Sequence, residues 1–252
     1  ITEVTEILDK VLEERIKSEV TLVKPSTTEQ CICYFWQKYK TAIPERKQLD
    51  KTDRRIADSF GYSKMRKAVN PQTNDLAPII VLLAMFTGMN EQPLCGLLLE
   101  DINQQNILGA KVVGIAPLKN RAGDGGQRIR KSLVIDDEEL SPANLIYFVM
   151  RWTTILREHA PPHIKNHVFL YANKERSYGY WVRSLGETVN GRYMAIPQAL
   201  GKYSHKIIGT YVAFRALRDI FSELMDGQLD GDRGALKILL GHTSITTTDG
   251  HY

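Results

Sequence analysis

The sequence predicts a mainly α-helical fold with one small antiparallel β-sheet, an α+β chain, and three observations carry that expectation. Apolar residues recur at helical spacing near both ends, in Val4, Ile7, Leu8, Val11 and Leu12 and again from Tyr211 to Met225. The main strand-forming runs lie in the middle, at Ile107–Ala116 and Arg130–Ile135, on either side of a loop rich in Lys, Arg, Asp and Gly. With 252 residues the chain can bury a large core and has room for a small domain followed by a larger one.

Taken in order, Val4–Val20 (VTEILDKVLEERIKSEV) reads as an amphipathic helix, charged away from its apolar positions. Pro25 and Ser26 end it. Thr27 or Thr28 can cap a second helix over Glu29–Lys40, because a hydroxyl at a helix start accepts from an otherwise unbonded amide. Glu45–Lys67 is dense in Lys and Arg, and Asn70, Pro71 and Asn74 then interrupt the chain. That break places a boundary near residue 70 and divides the protein into residues 1–70 and 71–252. The apolar segment Asp75–Met89 is a helix stopped at Thr87-Gly88, and Leu94–Leu99 reads as a short buried helix. The two strand runs hold the basic hairpin loop Lys119–Gly126 between them. Ser141 is placed to cap one long helix to His159, halted by Pro161-Pro162. His167–Tyr171 is a short strand, Asn173–Ser184 a polar stretch, and helical patterns return at Tyr211–Met225 and Gly234–Leu240.

Composition narrows the function classes. Hydrophobic residues make up 43% and charged residues 25%, outside the weakly hydrophobic, highly charged regime of disorder. Lys plus Arg outnumber Asp plus Glu by 33 to 29, a net charge of +4 with a pI near 8.8, which permits a nucleic-acid partner without requiring one. Cys31, Cys33 and Cys95 have neither the even count of a disulfide framework nor the paired spacing of a zinc site. A reducing, cytoplasmic compartment is expected, nucleoid-associated in a bacterium. The longest apolar run, Leu76–Phe86, is about half of what spans a bilayer, so no membrane is expected. Because the chain opens on Ile1 rather than Met and stops at Tyr252, both ends are expected to be incomplete.

The chemistry is written at the C-terminus. Leu239-Leu240-Gly241-His242-Thr243-Ser244-Ile245-Thr246-Thr247-Thr248-Asp249-Gly250-His251-Tyr252 resembles the last active-site box of the tyrosine recombinase (phage integrase) family, which runs Leu-Gly-His, Ser-Ile/Val, a Thr pair and a tyrosine nine or ten residues after the histidine. Here the interval is ten. A second block, Ala216-Leu217-Arg218-Asp219-Ile220-Phe221-Ser222-Glu223-Leu224, is similar to the family's His-x-x-Arg helix. Arg218 stands 24 residues before His242, and Arg215 occupies the family histidine's position. A third, Phe86-Thr87-Gly88-Met89-Asn90-Glu91-Gln92-Pro93-Leu94-Cys95-Gly96-Leu97 with Glu100-Asp101-Ile102, resembles the box of the family's first arginine, with Asn90 in the arginine's place. Lys119 matches the family's β-hairpin lysine. The likeness covers Leu76 to Tyr252.

The resemblance implies a catalytic domain over 71–252 preceded by a helical, core-binding-like DNA-binding domain over 1–70, the two clasping the duplex from opposite faces. It implies strand cleavage and rejoining through a 3′-phosphotyrosine on Tyr252, without metal or other cofactor. Tyrosine attack loads the non-bridging phosphate oxygens with charge, which fixed cationic donors stabilise. Arg218 would hold two of those oxygens in its planar fork. His242 would hydrogen-bond one of them, and Lys119 would protonate the departing 5′ oxygen. Stored as a phosphotyrosine, the bond can be passed to a second DNA end. Asn90 in place of arginine implies a slower enzyme, a substitute cation among Arg121, Arg128 and Arg215, or a chain that binds without cutting.

Arg54, Arg55, Lys64 and Lys67, near Tyr62 and after Trp36, suit sequence-independent contacts with the backbone of double-stranded DNA, together with Arg121 and Arg128. The partners implied are further copies of the chain, as a tetramer on paired sites, and accessory DNA-bending proteins. The outcome would be integration, excision or transposition of a mobile element. Taken singly, Tyr252, His242 and Arg218 read more simply as a helix-end tyrosine, a core histidine and an ion-paired arginine; it is the ordered block and its spacing that favour chemistry. Two rivals share the residue set: a catalytically impaired accessory relative, and a telomere resolvase or type IB topoisomerase. A third is a helical interaction module that matches by chance.

Overall fold

The computed structural model describes residues 1–17, 25–39, 43–107, 109–119, 127–128, 131–175, 179–189, 192–193 and 195–240. Within them the chain is mainly helical with small antiparallel sheets, the class that its periodicity predicts. Four helices come first, α1 (Thr2–Lys17), α2 (Thr28–Tyr39), α3 (Lys51–Ser59) and α4 (Tyr62–Val69). Ile7, Leu8 and Val11 are buried as their spacing requires. Thr27 accepts the Gln30 amide at 3.2 Å and Asp50 the Asp53 amide at 2.8 Å, each supplying a partner that a helix start lacks. Asp53 is itself fully buried in α3 and tied to α2 by the Tyr34 hydroxyl at 2.9 Å, the Lys38 ammonium at 2.5 Å and the Tyr39 hydroxyl. A buried carboxylate persists when so paired.

The apolar segment forms α5 (Thr73–Thr87), entered through a capping box of Gln72 and Asp75 and left through Gly88 at φ 60°, ψ 18°. Leu76, Ile80 and Leu83 are wholly enclosed. The left-handed conformation suits glycine, and space demands it as well: a Cβ on Gly88 would lie 2.3 Å from Phe221 Cδ1. Gly88→Ala is therefore expected to cost about 2–4 kcal/mol from strain plus overpacking. Urea unfolding measures it, and trimming Phe221 to Leu in the same chain should recover the overpacking part alone.

After α6 (Glu91–Cys95) and a single 3₁₀ turn at Leu99–Asp101 comes the sheet region, with β1 (Ile102–Ile107), β2 (Ala110–Ile115), β3 (Leu118–Lys119), β4 (Gln127–Arg128) and β5 (Lys131–Val134). The main sheet has the antiparallel order β1-β2-β5, with Val113 opposite Leu133 and Ile115 opposite Lys131. The short pair β3-β4 sets Lys119 opposite Gln127. The expected run Ile107–Ala116 is thus only the second strand; β1 was hidden because INQQNI lacks apolar alternation.

The helix expected from Ser141 to His159 is capped by Ser141, whose hydroxyl accepts the Asn144 amide, but is divided into α7 (Pro142–Trp152) and α8 (Thr154–Glu158). At the break Thr153 donates its hydroxyl to the Val149 carbonyl at 2.9 Å, the local bonding through which β-branched hydroxyl residues weaken a helix. The polar stretch is a hairpin, β6 (Leu170–Glu175) with β7 (Gly179–Ser184), whose Leu170, Ala172 and Val182 fill a small second core. Beyond β8 (Thr188–Val189) and β9 (Arg192–Tyr193) lie α9 (Ala195–Ile208), α10 (Phe214–Gln228) and α11 (Arg233–Leu240). Helix α9 is not evident in the sequence because Pro197 and Gly201 interrupt its apolar pattern. Helix α10 begins at Phe214 rather than at Tyr211, and among the described residues the strands form four small sheets rather than one. One continuous hydrophobic core runs from Ile7 through Phe35, Leu83, Val113 and Val149 to Leu217. No helix of the described residues is long and apolar enough to cross a membrane.

Candidate active site

The site grows from the amphipathic pattern of α10, which buries Leu217, Arg218, Phe221 and Ser222 on one face and leaves Arg215 exposed. Arg218 is only 7% exposed, and its guanidinium donates to the Leu240 carbonyl at 3.1 Å. Beside it, Lys131 of β5 donates to the Leu239 carbonyl at 2.6 Å and lies over the Phe221 ring, 5.7 Å from the centroid. Two cations from different elements therefore grip consecutive carbonyls at the end of α11, where a helix leaves its carbonyls unbonded and its dipole favours positive charge. The next two residues in the chain are Gly241 and His242.

Phe221 is where three stretches meet. Gly88 abuts the ring from the α5–α6 turn, Lys131 covers it from the sheet, and Arg218 precedes it by one turn of α10. Asn90 stands two residues beyond Gly88 as the N-cap of α6, extended at φ −69°, ψ 163°, partly buried, with no capping bond from its side chain. Glu91 beside it is half-buried, and that burial raises its carboxyl pKa. So the blocks around Asn90 and Arg218 come together in space.

Burial, and then the charge of Arg218, push the Lys131 ammonium down to about 8 from an ordinary 10.5. Between those values the unfolded chain binds the proton more readily than the folded one, so this group makes stability rise with pH across that window; below it the full cost of burying the charge is present. Lys131→Met removes the charge and keeps the stem on Phe221. Its stability relative to the unsubstituted chain is expected to be highest near neutral pH and to fall on approaching 10.5. Urea unfolding at both ends of the window checks this, and a difference independent of pH would refute it.

Lys131 is the site residue that sequence reasoning missed. Its signal is parity: in β5 Lys131 and Leu133 are partly buried while Ser132 and Val134 face outward, so a lysine sits at an inward position. Of the residues singled out beforehand, Tyr252, His242 and Arg121 lie outside the described residues. Lys119 and Arg128 are described by backbone pairing alone, on opposite strands of the β3-β4 pair. Arg54, Arg55, Lys64 and Lys67 are all exposed, on α3 and α4, away from the Phe221 cluster in sequence. Lys64 pairs with Glu3 at 2.7 Å, which partly neutralises that face.

A serine–histidine contact elsewhere, Ser184 Oγ to His167 Nδ1 at 2.7 Å, does not form a second centre. Ser184 is 1% exposed and its oxygen already accepts the Gly186 amide at 3.0 Å, so it closes a turn. Among the described residues no group of His, Cys, Asp or Glu side chains is arranged to hold a metal.

No family model matches the chain, and no curated protein matches it. Among solved structures it is similar to the XerH site-specific recombinase bound to difH substrate, at 17% identity and a TM-score of 0.43, over 71% of this chain and 42% of that one. It is also similar to the XerA recombinase, at 16% identity and a TM-score of 0.40, over 97% of this chain and 92% of that one. The chain thus spans less than half the length of the first.

Proposed function

We propose that this protein is a tyrosine-type site-specific DNA recombinase that cuts a strand by forming a 3′-phosphotyrosine on Tyr252. One observation carries the reading: buried Arg218 donates to the carbonyl of Leu240, so the Arg218 helix lies against the first two residues of the C-terminal block, Leu239-Leu240, which Gly241-His242 follow in sequence. A charged fork beside a second cation is the kind of donor set that would stabilise charge developing on a phosphate. In the reaction the Tyr252 hydroxyl gives up its proton to solvent water as its oxygen bonds to phosphorus and the bond to the 5′ oxygen breaks. That oxygen leaves as a hydroxyl after taking a proton from Lys119, and a 5′ hydroxyl from a second duplex reverses the step. Lys131, already engaged on Leu239, positions the C-terminal block rather than donating that proton. Residues 1–70 would complete the grip on DNA, and copies of the chain would assemble on paired sites.

Asn90 favours a second reading, a DNA-binding relative that no longer cuts, because a neutral side chain stands where the family carries an arginine. Incubating the chain with a nicked duplex bearing a candidate site, then denaturing it, separates the two. A surviving protein–DNA adduct supports the enzyme, tight binding without an adduct supports the accessory relative, and absence of binding overturns both.

A further inference from the structure

From Thr188 to Arg218 the chain carries Arg192, Lys202, Lys206, Arg215 and Arg218 and not one Asp or Glu, although acids and bases are nearly balanced overall at 29 against 33. In the middle of this stretch the chain leaves α9 through Gly209, at φ 74°, and folds back on the helix. The Val212 amide donates to the Ser204 hydroxyl at 2.9 Å, and Ser204 donates to the Gly201 carbonyl at 3.1 Å. That fold lays the Tyr211 ring on the His205 ring, centroids 4.8 Å apart and planes 13° from parallel. The same ring presses on Gly201, where a Cβ would come within 2.9 Å of Tyr211 Cδ1. Tyr211 is held from two sides and is nevertheless 70% exposed. Lys202 and Lys206, one turn apart on α9 and flanking His205 in sequence, and Arg215, in the first turn of α10 and four residues past Tyr211, are exposed as well.

An aromatic ring fixed outward within an acid-free, cationic stretch fits a partner that offers flat π faces and negative charge together, which is a nucleic-acid strand with unstacked bases. We propose that the Tyr211–His205 stack is a platform for an unpaired nucleobase, with Lys202, Lys206 and Arg215 holding the phosphates on either side. The inference rests on the DNA-cutting reading and adds to it a preference for strands whose pairing is opened, as exchange of strands requires.

The test uses the intact chain with three probes: a short paired duplex, the same duplex with a central unpaired stretch, and phosphatidylcholine vesicles containing phosphatidylserine. The chain is expected to bind the opened duplex about tenfold more tightly than the paired one, the worth of one base–aromatic stack. In Tyr211→Leu that ratio is expected to fall to about one, in Tyr211→Trp to persist, and in Gly201→Ala, which displaces the ring, to shrink, each by loss or retention of the same stack. Equal affinity for the two duplexes, or a ratio that Tyr211→Leu leaves intact, overturns the platform while the DNA reading stands. Failure to bind either duplex overturns the DNA reading and the platform with it, and capture by the vesicles alone would mark a lipid-binding face instead.

Discussion

Tyr252→Phe is expected to abolish the denaturation-resistant DNA adduct while leaving DNA affinity within a few-fold. The substitution removes one oxygen, the atom proposed to attack phosphorus, and keeps the ring. No charge-stabilising donor is lost, so a defect confined to bond formation is the signature of a nucleophile; an orienting residue would slow the step, typically by a hundredfold or more, without eliminating it. Adduct yield on a nicked duplex, read by denaturing electrophoresis, decides it. A Phe variant that still forms the adduct would move the nucleophile elsewhere, and a variant that neither binds nor reacts would point to a structural role for the hydroxyl.

How legible this was in the sequence depended on what each residue's neighbours allowed. The apolar helix α5 was plain because a run as apolar as LAPIIVLLAMF is mostly drawn into a core, although Phe86 stays exposed, and Gly88 marked its end because a left-handed cap suits glycine. The cap at Ser141 was equally plain, since a hydroxyl before an apolar run has one economical use, whereas the cap of α2 was narrowed only to Thr27 or Thr28 and Thr27 takes it. Strand β1 and the β6-β7 hairpin were not, because their stabilisation comes from pairing with distant segments and their side chains alternate weakly. At the site, spacing to His242 singled out Arg218, whereas Lys131 remained hidden. Its importance comes from a partner 108 residues away, the Leu239 carbonyl, and no local pattern encodes that contact. The aromatic stack escaped for the same reason: Tyr211 and His205 are six residues apart, and only the reversal at Gly209 brings the rings together.

Replacing Arg218 should separate its two roles. Arg218→Ala removes the donor of the Leu240 carbonyl and opens a gap on the buried face of α10, at an expected cost of about 1–3 kcal/mol in stability. Arg218→Met fills most of that volume and also withdraws a charge from beside Lys131, so its penalty should be smaller. The Lys131 ammonium should then titrate above its present value of about 8, because one of the two causes that depress it is gone while burial remains. If Arg218 served only to hold the end of α11, Met at low temperature, where both chains are folded, would restore strand cleavage in proportion. A guanidinium that contacts the reacting phosphate predicts otherwise: adduct formation falls by a factor on the order of 10²–10³ in Ala and Met alike, and Lys, which keeps a charge without the fork, recovers only part of it. Folded fraction by circular dichroism, the Lys131 titration by NMR and adduct formation rate, measured on the same three variants, place Arg218 either on the phosphate or beneath it.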